Sequence, residues 1–587
     1  DPAAGVTEYS YDNRDNLIEL KDAKENVTRF EYDKNNRLTK EVRPMGEQIT
    51  YAYDEAGNLI QKIDAKNQRT AYVYDDAGRL TDIKYYGSAG DTTPAKTVIF
   101  AYDKVGNLTS YDDGKTSAQY EYDGLYQKIS DTVDYGTFSL SNTYTYNKNG
   151  TKKTFIGPDG VTYGYMYDAN NQLAGVQMPD NGFITINAYH WNRPVNMTIP
   201  GGSTKSFEYD PLMRIKQITA KDPGQNELLN YQYTYDKMDN IIDKATEHGD
   251  YTYGYDDLYR LTIVDNPVQD DESFTYDAVG NCITAADTID NWSYNNNNEL
   301  LTTDNEQYDY DANGNMTQKT VAGVVTKFFY NPEDRLERVE DGVGTIIATY
   351  YYDPFGRRLW KDVSGVRTYF HYSDEGLVAE LDASGDVTKS YGYKPGSTWT
   401  TDPLFMKIGN EYYFFQNDHL GTPQMMTAIN GAVLWASKYS SFGKVTIDSN
   451  STITNNLRFP GQYYDNETGL HYNYYRYYNP TIGRYLRHDP DKGDIFSPLT
   501  LVPYPYVSSN PIGYIDEKGL LSTNLTYYRK RPCKPICFPI WRKTTKKVTG
   551  SYDETWGKGF QPPLCLYFTR RQDFIERTTV TTYLCFY

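Results

Sequence analysis

The sequence predicts an all-β protein, and three observations carry that prediction. Tyrosine is far above ordinary usage, at 61 of 587 residues. A Tyr-Asp pair recurs at a fixed interval: Tyr11-Asp12, Tyr32-Asp33, Tyr53-Asp54 and Tyr74-Asp75 stand 21 residues apart. Segments such as Glu8-Tyr9-Ser10-Tyr11 and Phe30-Glu31-Tyr32 alternate their side chains with the two-residue period of a strand. Aromatic and β-branched residues favour strands, and abundant Gly and Asn favour the turns between them.

Each repeat reads as a hairpin. A strand ends on Tyr-Asp, and Asp-x-x-Gly-Asn or Asp-x-x-Asn-Arg makes the turn, where Gly and Asn tolerate positive φ. Leu59-Ile60-Gln61-Lys62-Ile63 starts a return strand, and Asp64-Ala65-Lys66-Asn67 turns into the next unit. The pattern continues with looser spacing through Tyr102-Asp103, Tyr235-Asp236 and Tyr352-Asp353. A unit of two strands cannot bury a core of its own, so the units must stack into one long sheet. Such a sheet has to twist and coil. The tyrosines are therefore read as packing residues and the aspartates as turn caps, not as catalytic dyads.

Composition narrows the function classes. Mean hydropathy is −0.73, and the absence of an apolar run of 18 residues argues against a transmembrane helix. No signal peptide is visible at Asp1; the chain begins inside a repeat, which fits a missing N-terminal region. The net charge of −19 hides a split. Residues 521–587 hold 12 Lys/Arg against 4 Asp/Glu, while the first 520 hold 47 against 74. Either an acidic surface keeps a large protein soluble, or a basic tail is held by an acidic container. Cys282 stands alone in the body, whereas Cys533, Cys537, Cys565 and Cys585 share the tail. Four cysteines allow two disulfides in three connectivities; free thiols remain the alternative, and Cys-x3-Cys without a nearby His is a poor zinc pattern.

From about Leu404 the repeat fades and a series of landmarks begins. They are Asn417-Asp418-His419-Leu420-Gly421-Thr422-Pro423, Phe442-Gly443, Phe459-Pro460-Gly461-Gln462, the tyrosine-rich run through Arg476, Arg487-His488-Asp489-Pro490, and Asp516-Glu517-Lys518-Gly519-Leu520. In this order they resemble the Rhs/YD-repeat proteins, which include Tc toxin C-subunits, polymorphic Rhs toxins and, more distantly, teneurins. The resemblance covers about 520 of the 587 residues. It implies a spiralling sheet that forms a hollow shell over residues 1–403, a core plug at 404–520, and a variable C-terminal effector at 521–587.

It also implies an aspartyl autoprotease in the plug, with Arg476, Asp489 and Asp516 as its residues and Leu520-Leu521 as the bond cut. The chemistry suits that set. Two close carboxylates share a proton; one activates water while the other polarises the carbonyl. Arg476 holds a carboxylate or steadies the oxyanion. A tethered substrate needs no separate binding step. The chain departs from the family in a longer Asp489–Asp516 spacer and in the missing Pro after Asp516. Asp491 and Asp494 are alternative carboxylates. Arg484 and Arg487 are alternative cations, read as surface or turn residues.

No cofactor or metal is implied. The turn Asp309-Tyr310-Asp311-Ala312-Asn313-Gly314 lacks the spaced ligands of a calcium loop. The tail interleaves aromatic and basic residues, as at Tyr527-Tyr528-Arg529-Lys530-Arg531, a pattern shared by nucleic-acid binders and membrane-active peptides. It contains no His, which excludes His-based acid–base chemistry. The expected partners are the chain's own tail as cargo, a delivery machinery and an immunity protein, at a secreted or cell-surface location. The alternative is an adhesion or glycan-binding module that releases nothing.

Overall fold

The computed structural model describes residues 1–179, 182–285, 291–491, 493 and 498–520, with further strand segments at 523–524, 536–546, 568–572 and 577–586. Two compact units result, Asp1–Thr526 and Tyr527–Tyr587.

The first unit contains a 25-stranded and a 16-stranded sheet. The larger runs from Glu8–Tyr11 to Glu272–Ser273, the other from Ser293–Tyr294 to Val445–Ile447. Strands pair antiparallel with their chain neighbours, as Tyr53 does with Leu59 and Ile63 with Arg69. The meander continues past Leu404, where Phe405–Ile408 pairs with Val387–Gly392. Among the described residues there is no α-helix, and none long and apolar enough to cross a membrane.

One turn type explains the Tyr-Asp repeat. In Asp54–Asn58 the two backbones bond to each other at 3.0 Å, and Asp54 Oδ1 accepts the Asn58 N–H at 2.8 Å. Its Oδ2 accepts the Asn58 side-chain amide at 2.9 Å. Where Arg replaces Asn, the side chain also reaches forward: Arg37 Nη1 donates to the Asp54 carbonyl at 2.7 Å, and Arg79 Nη1 to the Asp103 carbonyl at 2.8 Å. Tyrosine reaches backward. The hydroxyls of Tyr53, Tyr74 and Tyr102 donate to the carbonyls of Leu38, Leu59 and Leu80 at 2.9, 3.0 and 2.9 Å. Each hairpin is thus tied to the one before it by a phenol and, at several units, to the one after it by a guanidinium. Tyr fits because its ring packs while its hydroxyl still finds an acceptor.

The sheets wind so that successive stretches meet in order. Arg43 bonds Asn313, Lys96 bonds Glu333, Lys128 bonds Asp374, Lys205 bonds the Asn417 carbonyl, and Gln269 bonds Thr446. Partners lie between 270 and 177 residues apart, advancing together along both sheets. That ordered progression is the spiral.

Beyond the long sheets comes a four-stranded sheet of Tyr463–Asp465, Leu470–Asn473, Arg476–Asn479 and Arg484–Tyr485, and the segment from it to Leu520 is termed the plug. The largest apolar cluster joins it to the second long sheet through Tyr350, Phe370, Trp435, Tyr463, Tyr472 and Tyr477. A buried ion cluster makes the same connection. Arg358 pairs with Asp465, while Lys361 reaches Asp465 at 3.0 Å and Glu467 at 2.9 Å. Burial pushes the Asp465 carboxyl up, but the Arg358 and Lys361 charges outweigh it and hold it below its ordinary value.

Candidate functional site

The site begins with a strand pair in the plug. Arg476 opens the strand Arg476–Asn479, and Tyr485 closes Arg484–Tyr485 opposite it. The Arg476 guanidinium carbon lies 3.6 Å from the centroid of the Tyr485 ring, a close cation–π stack that fixes its plane. Only 3% of Arg476 is exposed.

Asp516–Leu520 supplies the second component, and it shares the side-chain cap of the repeat turn without that turn's paired backbone bonds. Leu520 N–H donates to Asp516 Oδ1 at 2.8 Å, as Arg357 N–H does to Asp353 at 2.8 Å. Gly519 takes a φ of 65°, which an L side chain rarely adopts. The turn is held from outside by Gly461, where a Cβ would collide with the Glu517 carbonyl. The Asp418–Thr422 landmark is another such turn, with Thr422 N–H on Asp418 Oδ1 at 2.9 Å. His419 Nε2 donates to the Ile512 carbonyl at 2.9 Å and so braces the approach to Asp516.

Arg476 is the hub. Its Nη2 contacts Asp489 Oδ2 at 2.7 Å and Asp516 Oδ2 at 3.2 Å. The same nitrogen reaches the Leu520 carbonyl at 3.4 Å, and Nε donates to the Gly519 carbonyl at 2.7 Å. Nη1 is fixed on the Pro503 carbonyl at 2.7 Å. Asp489 Oδ1 accepts the Asp491 N–H at 2.8 Å. Burial raises the Asp489 carboxyl to about 6 against the pull of Arg476. Burial also raises Asp516, opposed by Arg476, the Tyr485 hydroxyl and the Leu520 N–H.

Arg476, Asp489, Asp516 and the Leu520 carbonyl therefore converge at one point; Leu521 lies outside the described residues. The two carboxylates meet through one guanidinium nitrogen. Arg484, expected on the surface or in a turn, is instead buried, with Nη1 on Asn281 Oδ1 at 3.1 Å and Nη2 on the Asn298 carbonyl at 2.8 Å. A planar donor fork satisfied by two acceptors is tolerated in the interior. Arg487 bonds the Asp334 carbonyl, and burial lowers it to about 10. Asp491 is exposed, and Asp494 lies outside the described residues.

Sequence reasoning missed Tyr485 and Asn473. The Tyr485 hydroxyl donates to Asp516 Oδ2 at 2.7 Å. Asn473 Nδ2 donates to the Tyr485 oxygen and to the Asp516 carbonyl, both at 2.8 Å. The spacing Asp-x-x-Gly shared by Asp54, Asp353, Asp418 and Asp516 was a legible sign that Asp516 caps its own backbone as the repeat aspartates do. Nothing in the sequence separated Tyr485 from its many neighbours of the same type.

Of the tail, Ile536–Lys546, Arg577–Phe586 and Phe568–Gln572 form an antiparallel sheet. Its register sets Cys537 opposite Cys585. Cys533 and Cys565 lie outside the described residues. In the body, Cys282 is a free thiol that burial raises to about 12. Among the described residues no group of His, Cys, Asp and Glu is arranged to hold a metal. In the turn Asp309–Gly314, Asp311 Oδ1 accepts the N–H groups of Asn313 and Asn315, both at 3.0 Å.

Fold and sequence define a YD-shell protein. The teneurin YD-shell family model matches residues 84–257 and 202–512, and the RHS repeat model matches 11–48, 32–69 and 53–92. The chain belongs to the YD-shell family of Rhs-repeat proteins. It is 27% identical over 443 residues to the tRNA3(Ser)-specific nuclease WapA of Bacillus spizizenii, covering 70% of this chain and 16% of that one. It is 28% identical over 369 residues to double-stranded DNA deaminase toxin A of Burkholderia cenocepacia, covering 56% of this chain and 25% of that one. The chain thus spans a quarter or less of these two relatives. Among solved structures, TcdB2–TccC3 without its hypervariable C-terminal region superposes with a TM-score of 0.72 at 17% identity, covering 88% of this chain and 30% of that one. A Photorhabdus luminescens Tc holotoxin pore gives 0.68 at 18%, covering 88% and 31%.

Proposed function

We propose that this chain is the shell and core of a polymorphic toxin that cuts itself after Leu520 and releases residues 521–587 as a small effector. The observation that carries the reading is the convergence of Asp489, Asp516 and the Leu520 carbonyl on one nitrogen of Arg476, where the acidic body gives way to the basic tail. The names of the relatives support it: one is a nuclease, one a deaminase toxin, and one was solved without a hypervariable C-terminal region.

The chemistry is hydrolysis of one amide. Ionised Asp489 takes a proton from water as the water oxygen bonds to the Leu520 carbonyl carbon. Arg476 receives the charge that develops on the carbonyl oxygen. The C–N bond then breaks, and the proton on Asp489 passes to the leaving nitrogen of Leu521. The peptide is already tethered beside these groups, which supplies much of the rate. The effector acts on nucleic acid or membrane, delivery needs a partner machinery, and an immunity protein protects the producer. Cys533, Cys537, Cys565 and Cys585 form disulfides once the effector is outside the cell.

Denaturing gels test the reading. The wild type should give two bands, Asp489→Asn and Asp516→Asn one full-length band, and Arg476→Ala a slow or absent cut with the shell still folded. Limited proteolysis of the native wild type tests containment; a tail digested at once would favour an adhesion module with an exposed appendage.

A further inference from the structure

The two carboxylates at Arg476 have unlike surroundings, and Tyr485 is the cause. Asp516 is saturated: Oδ1 accepts the Leu520 N–H at 2.8 Å, and Oδ2 accepts the Tyr485 hydroxyl at 2.7 Å and faces Arg476 at 3.2 Å. Asp489 has the Asp491 N–H at 2.8 Å and Arg476 at 2.7 Å, and among the described residues no side-chain hydroxyl is shown donating to it. The Tyr485 hydroxyl is itself oriented. Asn473 donates to its oxygen at 2.8 Å, so its single proton is directed onto Asp516. Its ring is the platform under the Arg476 guanidinium, 3.6 Å away. One side chain thus touches both partners of the Arg476–Asp516 ion pair from below.

We propose that Tyr485 is a positioning residue that divides the labour of the two aspartates: it pins Asp516 as the anchor for Arg476 and the Leu520 amide, and leaves Asp489 as the one carboxylate that moves protons. This rests on the self-cleavage reading above. A hydroxyl donated to a carboxylate favours its charged form, and the Leu520 N–H does the same. The charged and titratable groups that face Asp516 are Arg476, Tyr485, Asp489, Tyr506 and Glu517. Of these, Arg476 is the one cation, and its plane is set by the Tyr485 ring. Asp516 has no lone pair turned toward a water that would attack Leu520, because its oxygens are committed to the turn, the phenol and the guanidinium.

The substitution Tyr485→Phe separates the two contributions, since it keeps the platform and removes the hydroxyl. The full chain is made in a short pulse of cell-free synthesis, diluted into buffers from pH 5 to 8.5, and followed by the loss of the full-length band. In the wild type, the rate should rise with pH along a limb that reports one proton, that of Asp489. In Tyr485→Phe, Asp516 loses a donor to its charged form and titrates alongside Asp489. The plateau rate should drop by about 10-fold, and the limb should become steeper and move up by roughly half to one pH unit. Asn473→Ala frees the same hydroxyl from behind and should shift the limb in the same direction by less. Far-UV circular dichroism of each variant confirms that the shell is formed. A Tyr485→Phe chain that is slower but keeps the wild-type limb has lost packing only and overturns the proposal, as does one that matches the wild type throughout. A wild type that stays whole at every pH overturns the self-cleavage reading itself, so the two failures are distinguishable.

Discussion

Asp54 and Asp516 each cap the backbone N–H four residues on, and their settings pull them in opposite directions. In the repeat, the Asn58 side chain and backbone hold the Asp54 carboxyl below its ordinary value in a solvated setting. In the plug, burial lifts Asp516 above it, despite Arg476. The repeat uses Asp as a cap whose charge costs little; the plug places the same cap where charge is expensive. Burial patterns follow suit. The strand Leu59–Ile63 is half-buried with one exposed position, whereas Leu470–Asn473 and Arg476–Asn479 are buried throughout.

The largest effect that would sharpen this contrast lies in the buried ion cluster. Asp465→Ala strands Arg358 and Lys361 without their shared partner and is expected to destabilise the plug by about 3–5 kcal/mol, as removal of one member of a buried pair does. Chemical unfolding followed by tryptophan fluorescence would read it, since Trp399 and Trp435 lie in the same apolar cluster. A cost below 1 kcal/mol, the ordinary value for a surface pair, would break the comparison. In the repeat, Tyr255→Phe removes one hydroxyl, which donates to the Ile241 carbonyl at 2.8 Å. The expected loss is about 1 kcal/mol, the net worth of a single hydrogen bond, measured as a shift in the unfolding midpoint.

A smaller effect has opposite signs in the two regions. Folded Asp489 keeps its proton up to about pH 6, whereas the unfolded chain releases it near the ordinary carboxyl value of 3.8. The folded plug thus binds more protons in that window, so its stability falls as pH rises from about 4 to 6. The repeat aspartates Asp54, Asp75 and Asp103 are depressed. Their contribution is complete above the unfolded value and is lost only as pH falls through the lower folded one. Hydrogen exchange of the strand Arg476–Asn479 should therefore speed up from pH 4 to 6, after correction for intrinsic rates, while that of Leu59–Ile63 should not. Equal slopes in both would contradict the assignment.

The repeat was legible because its contacts are local. Tyr74 bonds Leu59 and Asp54 bonds Asn58, so the 21-residue period states the whole unit. The candidate site was legible in part, since Arg476, Asp489 and Asp516 stand in marked motifs. Their mutual distances depend on how the chain folds back over up to 40 residues, and no local pattern reports that. Arg358 and Asp465 look like ordinary surface charges, 107 residues apart, until the fold buries them against each other. Arg484 was misread for the same reason: its acceptors, Asn281 and Asn298, are distant in sequence. Tyr485 was hidden by abundance, one among 61 tyrosines whose ordinary task is packing.

The central claim is that the plug's buried charges do chemistry which the same cap in the repeat does not. Intact-mass spectrometry of the purified wild-type chain tests it most directly. The account predicts two masses under denaturing conditions, those of residues 1–520 and 521–587, and a single full-length mass for Asp489→Asn. A wild-type chain that remains one full-length species after prolonged incubation at pH 7 would contradict it.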